Sequence, residues 1–329
     1  MPTPNVLHVS RELSYFDCAR KCSGMVDECG WMNFKENATA DNCELGKTPK
    51  DAGCTDLVER NGFSFYLKEP FCSHNTAYDP LLELCKVCPL GFTGRRCEVR
   101  VYDCGDYYHA KLDSNKKGIG RRHIWPEKSK EPFEVSCWFT GNGQTLIQRQ
   151  KYKKDFNMTR NWFNYTEGFS MSGSFWLGNR YIHEIVAGDR PYRLLLKFAR
   201  FTDTPYTLTI GGTFTNFYIE NETKNFQVTV TSKSKSNLAR LPNGTYFSTY
   251  DRDNDGNASV NCAQDYGGGW WFGVFCAEAN VNGPRLLESE WSAEVWPQLS
   301  WGTKARTSGL RESWMMLEVD SSYTYPGSY

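Results

Sequence analysis

Residues 251–272 read DRDNDGNASVNCAQDYGGGWWF, a stretch that combines alternating carboxylates, a cysteine, three glycines and two tryptophans. Asp251, Asp253 and Asp255 stand at alternate positions, which suits the oxygen coordination of a hard cation such as Ca²⁺. The first six residues match the start of an EF-hand loop, but Cys262 stands where the bidentate glutamate belongs. A solvated turn is the alternative. The stretch therefore predicts a calcium loop other than an EF-hand, or an exposed turn.

Motifs on both sides of this stretch extend the pattern. They are DCGDYY from Asp103, FEVSCWF from Phe133, TLIQRQ from Thr145, DFN from Asp155, Trp162, YTEGF from Tyr165, FWLGN from Phe175 and WMMLEV from Trp314. In order and spacing they resemble the fibrinogen-like C-terminal domain of fibrinogen chains, ficolins and tachylectins. The resemblance covers residues 102–320, leaves 321–329 as a tail, and implies an α+β domain built mainly on antiparallel strands. Runs such as Arg193–Phe198, Tyr206–Ile210 and Phe226–Thr231 are typical of those strands.

The resemblance also implies site residues and two disulfides. Asp251 and Asp253 would donate carboxylates to Ca²⁺, with backbone carbonyls near Asp255 and Asn257 and water completing the shell. The implied disulfides are Cys104–Cys137 and Cys262–Cys276. In ficolins and tachylectins, a neighbouring pocket holds acetyl groups of sugars, with a cis peptide bond that here corresponds to Phe275–Cys276. The ligand-binding residues that we predict on this basis are Asp265, Tyr266, Trp271, Phe275, Cys276, Ala277, Lys304 and Arg306.

Two departures alter the chemistry of the predicted pocket. Ala277 replaces the family's histidine, and the run after Trp301 lacks the expected tyrosines and contains Lys304 and Arg306. Those two cations could pair with carboxylate or sulfate groups of a ligand. The alternative is that they only decorate an exposed loop.

Residues 5–70 resemble a PAN/apple module. A helix capped by Ser14 would place Cys18 and Cys22 one turn apart, and an alternating strand is predicted at 63–67. The resemblance implies the pairs Cys18–Cys43 and Cys22–Cys29, although cysteine spacing alone does not fix connectivity.

Residues 71–99 resemble a truncated EGF-like module. The run CPLGFTGRRCE from Cys88 is typical of its final loop and implies the pairs Cys88–Cys97 and Cys72–Cys85. A zinc or redox role for Cys85 and Cys88 is disfavoured, because no second pair with suitable spacing follows. These assignments leave Cys54, which is either unpaired or joined to another chain. An odd cysteine in a secreted protein favours a disulfide between chains, so we expect a homo- or hetero-oligomer.

Composition indicates the extracellular route. The 329 residues include 13 cysteines, nine of them before residue 100. This dense framework is typical of secreted, disulfide-bonded proteins. Six N-x-S/T sequons point the same way, at Asn37, Asn157, Asn164, Asn221, Asn243 and Asn257. The 38 basic and 38 acidic residues balance, so no global field favours nucleic acid, and no apolar run is long enough to span a bilayer.

No catalytic constellation stands out, because the five histidines are scattered without ligand spacing. The run Gly267–Gly269 precedes tryptophans rather than a phosphate-binding lysine, so close backbone packing is the expected role. The sequence predicts a non-enzymatic, secreted, calcium-binding, lectin-like recognition protein for acetylated or acidic glycans. The alternative is a structural or adhesive protein whose modules contact other extracellular proteins and whose glycan pocket is idle.

Overall fold

The structure is a computed structural model, and it divides the chain into two compact units, Met1–Phe71 and Cys72–Tyr329. The residues that it describes are 6–10, 31–34, 43–46, 64–67, 78–79, 84–85, 87–110, 118–139, 142–151, 157–170, 173–200, 208–232, 241–274, 276, 279–284, 300–301 and 310–325.

The first unit contains a four-stranded antiparallel sheet in the order β1-β3-β2-β4. Its strands are β1 (Val6–Ser10), β2 (Trp31–Phe34), β3 (Cys43–Gly46) and β4 (Ser64–Leu67). Strand β4 lies within the strand predicted at 63–67. Cys43 is buried and disulfide-bonded. Cys18, Cys22, Cys29, Cys54, Asn37 and the helix predicted from Ser14 lie outside the described residues, so the PAN/apple resemblance stays a prediction.

The second unit is α+β. Its strands are β5 (Tyr78–Asp79), β6 (Leu84–Cys85), β7 (Phe92–Thr93), β8 (Val99–Arg100), β9 (Ile119–Ile124), β10 (Phe133–Trp138), β11 (Gln144–Gln150), β12 (Phe175–Trp176), β13 (Tyr192–Arg200), β14 (Thr209–Ile219), β15 (Val228–Ser232), β16 (Ala279–Asn280), β17 (Ser300–Trp301) and β18 (Leu310–Val319). Its helices are α1 (Cys104–His109), α2 (Trp162–Glu167), α3 (Asn179–Val186), a 3₁₀ turn at Glu222–Lys224 and α4 (Cys262–Tyr266).

An eight-stranded antiparallel sheet organises this unit, in the order β15-β14-β13-β18-β11-β10-β9, with β12 paired to β11. Strand β18 lies at the centre, where Met316 pairs with Leu195 on one side and Leu146 on the other. All three side chains are buried, as expected for a central strand covered on that face. The strand predicted at Arg193–Phe198 is confirmed within β13.

Strand β15 begins two residues later than predicted. Asn225 and Phe226 have φ values of 49° and 47°, so the chain is in the left-handed region there and cannot continue a strand. The strand starts at Val228, and Phe226 instead packs into the core at 1% exposure. The prediction of Phe226 as the first strand residue was therefore wrong.

The loop closed by Cys88 and Cys97 packs on the large domain, and the EGF-like resemblance stays a prediction. Cys88 and Cys97 form a disulfide, and the ring of Phe92 meets that of Trp125 edge-on at a centroid distance of 5.8 Å. The backbone N–H of Val101 donates to the carbonyl of Gly91 at 2.8 Å. Gly91 has a φ of 80°, which favours glycine, and a Cβ there would overlap the Trp125 side chain. Cys72 lies outside the described residues.

Candidate calcium loop and ligand-binding surface

The carboxylate loop, residues 251–261, leads into helix α4. Asn261 caps this helix, because its side-chain oxygen accepts a hydrogen bond from the backbone N–H of Gln264. The disulfide Cys262–Cys276 joins the helix start to the chain beyond the tryptophans. The end of the loop is therefore fixed by a helix cap and a covalent bond.

Asp251 lies at the start of the loop. Its Oδ1 accepts hydrogen bonds from the backbone N–H of Trp162 at 2.9 Å and from the Thr249 hydroxyl at 2.7 Å. Both contacts use the same oxygen, and no described residue donates to Oδ2. The residue as a whole is exposed.

Asp253 and Asp255 follow. Asp253 Oδ1 accepts from the backbone N–H of Asp255 at 3.2 Å, and Asp253 is exposed. The two carboxylate oxygens of Asp255 accept from the backbone N–H groups of Asn257 and Cys262, each at 2.8 Å. Asp255 thus ties the loop to the disulfide, and its carboxyl lies close enough to that of Asp253 for a hydrogen bond between the two side chains.

The loop concentrates negative charge. Burial, together with the charge of Asp253, raises the pKa of the Asp255 carboxyl above its ordinary value. Among the ion pairs of the described residues, none includes Asp251, Asp253 or Asp255. No group of three or more His, Cys, Asp or Glu side chains in the described part of the chain is arranged to hold a metal. A cation here would need backbone carbonyls as well as the carboxylates.

Asn257 has a structural role in the loop. Its Nδ2 donates to the carbonyl of Val274 at 3.0 Å, and its Oδ1 accepts from the backbone N–H of Ser259. Nδ2 is also the atom that would carry a glycan. A glycan on Asn257 would therefore compete with the bond that links the loop to Val274.

Seven of the eight predicted ligand-binding residues fall into three groups. Asp265 is exposed and Tyr266 is half-buried, both on helix α4. Cys276 is 4% exposed and disulfide-bonded to Cys262. Phe275, Ala277, Lys304 and Arg306 lie outside the described residues, and so does the predicted cis bond.

Trp271 is a core residue, so the prediction that it faces a ligand was wrong. Its side chain has no solvent exposure, and its indole N–H donates to the carbonyl of Phe226 at 2.7 Å. The ring packs edge-on against Phe247 at 5.0 Å. A buried indole needs a hydrogen-bond acceptor, and this one finds it in the backbone.

The glycine run before the tryptophans serves close packing. Gly268 has a φ of 74°, and a Cβ there would overlap the carbonyl of Asn282. The side chains of Asn280 and Asn282 donate to the carbonyls of Gly267 and Gly269. Two buried asparagines therefore hold the segment that follows helix α4.

Sequence reasoning missed a cationic contact beside the loop. The Arg252 guanidinium lies 4.0 Å from the ring centre of Trp162, and one of its nitrogens donates to Asn225 Oδ1 at 2.8 Å. The Trp162 indole donates to Glu222 at 2.7 Å. These partners are distant in sequence, so no local motif indicates them. Arg252 is thus engaged by Trp162 and Asn225 and forms no ion pair with Asp251 or Asp253 among the described residues.

The other predicted positions are distributed over the second unit. Cys104 and Cys137 form a disulfide. Among the described sequons, Asn157, Asn221 and Asn243 are exposed, whereas Asn164 and Asn257 are half-buried.

No described helix is both long and apolar enough to cross a membrane.

A buried charged cluster lies away from the loop. Arg190 donates to Asp103 at 2.7 Å and to Asp106 at 2.9 and 3.0 Å. The hydroxyl of Tyr192 donates to Asp103 at 2.9 Å, and that of Tyr325 does so at 3.3 Å. Burial and the charge of Asp103 raise the pKa of Asp106 to about 7, against the opposing effect of Arg190. The cluster joins helix α1 to the last described residues.

Known proteins share this architecture. The family model for the C-terminal globular domain of fibrinogen beta and gamma chains matches residues 99–319. Ryncolin-4 of Cerberus rynchops is 34% identical over 164 residues, which cover 49% of this chain and 46% of that protein. Fibroleukin of Homo sapiens is 28% identical over 241 residues, 69% of this chain and 52% of that protein. The chain thus spans about half the length of these curated relatives.

A solved structure gives the same fold. Lamprey fibrin D-dimer, complexed with the peptide Gly-His-Arg-Pro-amide, superposes with a TM-score of 0.57 and 25% identity. The alignment covers 74% of this chain and 77% of that chain. With the family match over residues 99–319, these findings establish that the chain belongs to the family of the fibrinogen C-terminal globular domain.

Proposed function

We propose that the chain is a secreted, lectin-like recognition protein whose fibrinogen-like domain binds Ca²⁺ and acetylated or acidic glycans. The observation that carries this proposal is the carboxylate loop. Asp251 and Asp253 are exposed, and Oδ2 of Asp251 has no hydrogen bond to a described residue. Their neighbours fix the loop through backbone bonds and a disulfide.

The residues suit Ca²⁺ in the kind of ligand, and water would complete the roughly six to eight oxygens that the ion takes. Asp251 and Asp253 would supply carboxylate oxygens, and the carbonyls of Asp255 and Asn257 would add neutral ones. A bound cation would offset the repulsion that contributes to the raised pKa of Asp255. Asp255 itself would orient the loop, because both its oxygens accept backbone N–H groups. The ion would supply charge and rigidity to the loop.

The ligand would be held beside the loop. Asp265 is exposed on helix α4, and Tyr266 is half-buried there against the core. The first residue of this helix carries the disulfide to Cys276. Lys304 and Arg306 follow in the sequence where the family has tyrosines, so acidic sugars are the favoured class among glycans. An oligomer, disulfide-linked through Cys54 in our proposal, would multiply weak sites into avidity.

A second candidate function is protein-mediated assembly. Phe163, on helix α2 next to Trp162, is 67% exposed, and exposed aromatic rings are common in protein interfaces. The lamprey fibrin relative is described in complex with a peptide. An adhesive protein with an idle glycan pocket would use such surfaces instead.

One experiment separates these functions. The purified, glycosylated protein is applied to an array of acetylated, sialylated and sulfated glycans in calcium and in EDTA. Calcium-dependent binding that is lost in Asp253→Asn and in a Lys304→Ala, Arg306→Ala variant would support the lectin. Asp189→Asn, an exposed carboxylate outside the loop, is the matched control. A folded, calcium-loaded protein that binds no glycan would favour assembly.

A further inference from the structure

A cavity of about 230 Å³ lies on the large sheet, and none of the predicted site residues lines it. Strands β9, β10, β11 and β12 contribute its walls. The lining includes two arginines, Arg121 and Arg149, a buried serine, Ser136, and two buried apolar side chains, Leu146 and Phe175. Phe175 pairs with Arg149 across strands β12 and β11, so the two residues lie on one face of the sheet.

Glu312 and Trp314 fix the position of the Arg149 side chain and leave some of its N–H donors unused. Its Nε donates to Glu312 Oε1 at 3.0 Å, and its guanidinium lies 3.9 Å from the ring centre of Trp314. The side chain is 17% exposed. Its two terminal nitrogens have no hydrogen bond to a described residue. A fixed guanidinium with unused donors is well suited to bind an oxyanion.

Arg121 supplies the second positive charge. It pairs with Glu134 at 3.0 Å, and its side chain is 48% exposed. The described lining contains both arginines but neither Glu134 nor Glu312. Neither glutamate is among the lining residues, so a ligand in the cavity would meet the guanidinium groups of the two ion pairs rather than their carboxylates.

We infer that this cavity binds a sulfate or carboxylate group carried by a sugar. The two guanidinium groups would hold the oxyanion, and the exposed side chain of Ile119 in the same lining would contact the apolar face of the sugar ring. The volume is below the roughly 300–1,000 Å³ of pockets for drug-sized ligands, so it suits one sugar residue. This site is independent of the proposed calcium loop.

The test uses the full chain in EDTA, so that failure of the calcium site does not affect the result. N-acetylglucosamine 6-sulfate, glucuronic acid, inorganic sulfate and uncharged N-acetylglucosamine are titrated by NMR chemical-shift changes. Both acidic sugars are expected to bind more tightly than inorganic sulfate, and the uncharged sugar should bind at least about tenfold more weakly. Equal binding of charged and uncharged sugars would contradict the inference. So would inorganic sulfate that binds as tightly as the sulfated sugar.

Variants locate the binding. Arg121→Ala removes an exposed cation, and Arg149→Lys keeps the charge beside Glu312 but loses the planar fork. Each should weaken binding of the acidic sugars by about tenfold. Arg96→Ala, on the loop between Cys88 and Cys97, removes the same charge elsewhere and should leave binding unchanged. An unchanged affinity in a folded Arg121→Ala protein, or an equal loss in Arg96→Ala, would refute the site.

Discussion

The Asp251 carboxylate accepts a hydrogen bond from the backbone N–H of Trp162 at 2.9 Å, across 89 positions of sequence. This bond connects the carboxylate loop to the first residue of helix α2. The loop is thus positioned from both sides, by Trp162 at its start and by Cys262 at its end. Such support would hold the outer oxygens of Asp251 and Asp253 in place before a ligand arrives.

Asp251→Asn and Asp253→Asn are each expected to lower calcium affinity by at least about tenfold, because each removes a charged oxygen ligand. Terbium luminescence with calcium competition measures this affinity. Asp189→Asn serves as the control and should bind as the unmodified protein does. Equal affinity in all three variants would place the ion elsewhere.

Stability should depend on pH through Asp106. The pKa of this carboxyl is raised from 3.8 to about 7 in the fold, mainly by burial. Between these values the folded chain keeps a proton that the unfolded chain releases. The free energy of unfolding should therefore fall as pH rises from about 4 to about 7, by more than about 1 kcal/mol.

Asp106→Asn should remove this part of the pH dependence, because asparagine mimics the protonated form. Urea unfolding at pH 5, 6, 7 and 8 should show the variant gaining stability relative to the unmodified protein as pH rises. Asp265→Asn, an exposed carboxylate on helix α4, is the control. A constant difference between Asp106→Asn and the unmodified protein across this range would contradict the assignment.

The Cys262–Cys276 disulfide should stabilise both the fold and the calcium loop. It closes a segment with a sequence separation of 14, for which the loss in a double Cys→Ala variant is about 3 kcal/mol. Calcium affinity should fall as well, because Asp255 is tied to the backbone of Cys262. The Cys88→Ala, Cys97→Ala variant should lose stability and keep its calcium affinity. A loss of calcium binding in both variants would indicate general unfolding instead.

Trp271→Phe tests the core assignment. The change removes the hydrogen bond to Phe226 and part of a buried side chain, so the free energy of unfolding should fall by about 1–3 kcal/mol. Calcium affinity of the folded fraction should stay the same. A variant that kept its stability but no longer bound glycans would contradict the core assignment and indicate that Trp271 contacts the ligand.

Sequence patterns predicted the features that depend on local order. The resemblance of the motifs to the fibrinogen-like domain implied a domain over residues 102–320, and the family match spans 99–319. Asp251 and Asp253 were singled out by their alternation, and the exposure of both agrees with a loop that faces solvent. Apolar runs indicated the strand at Arg193–Phe198.

The remaining features depend on contacts between distant segments. Trp271 belongs to a loop rather than a strand, so no alternation indicated which face it takes. Asp106 would be expected at the surface as a charged residue, yet it is 5% exposed because Arg190 pairs with it from a segment 84 positions away. Strand β15 starts after Phe226 because the backbone is left-handed at that residue. Phenylalanine rarely adopts this conformation, so the residue type did not indicate it.

The contact between Tyr325 and Asp103 brings the two ends of the globular domain to one corner. In topological terms the domain is nearly a closed ring, which is the arrangement that tolerates circular permutation or insertion into a host loop. A short linker could join residue 325 to residue 102, and a new opening could be made at an exposed turn such as Gly244. The carboxylate loop and the sheet would then remain intact in a chain whose order of segments had been changed.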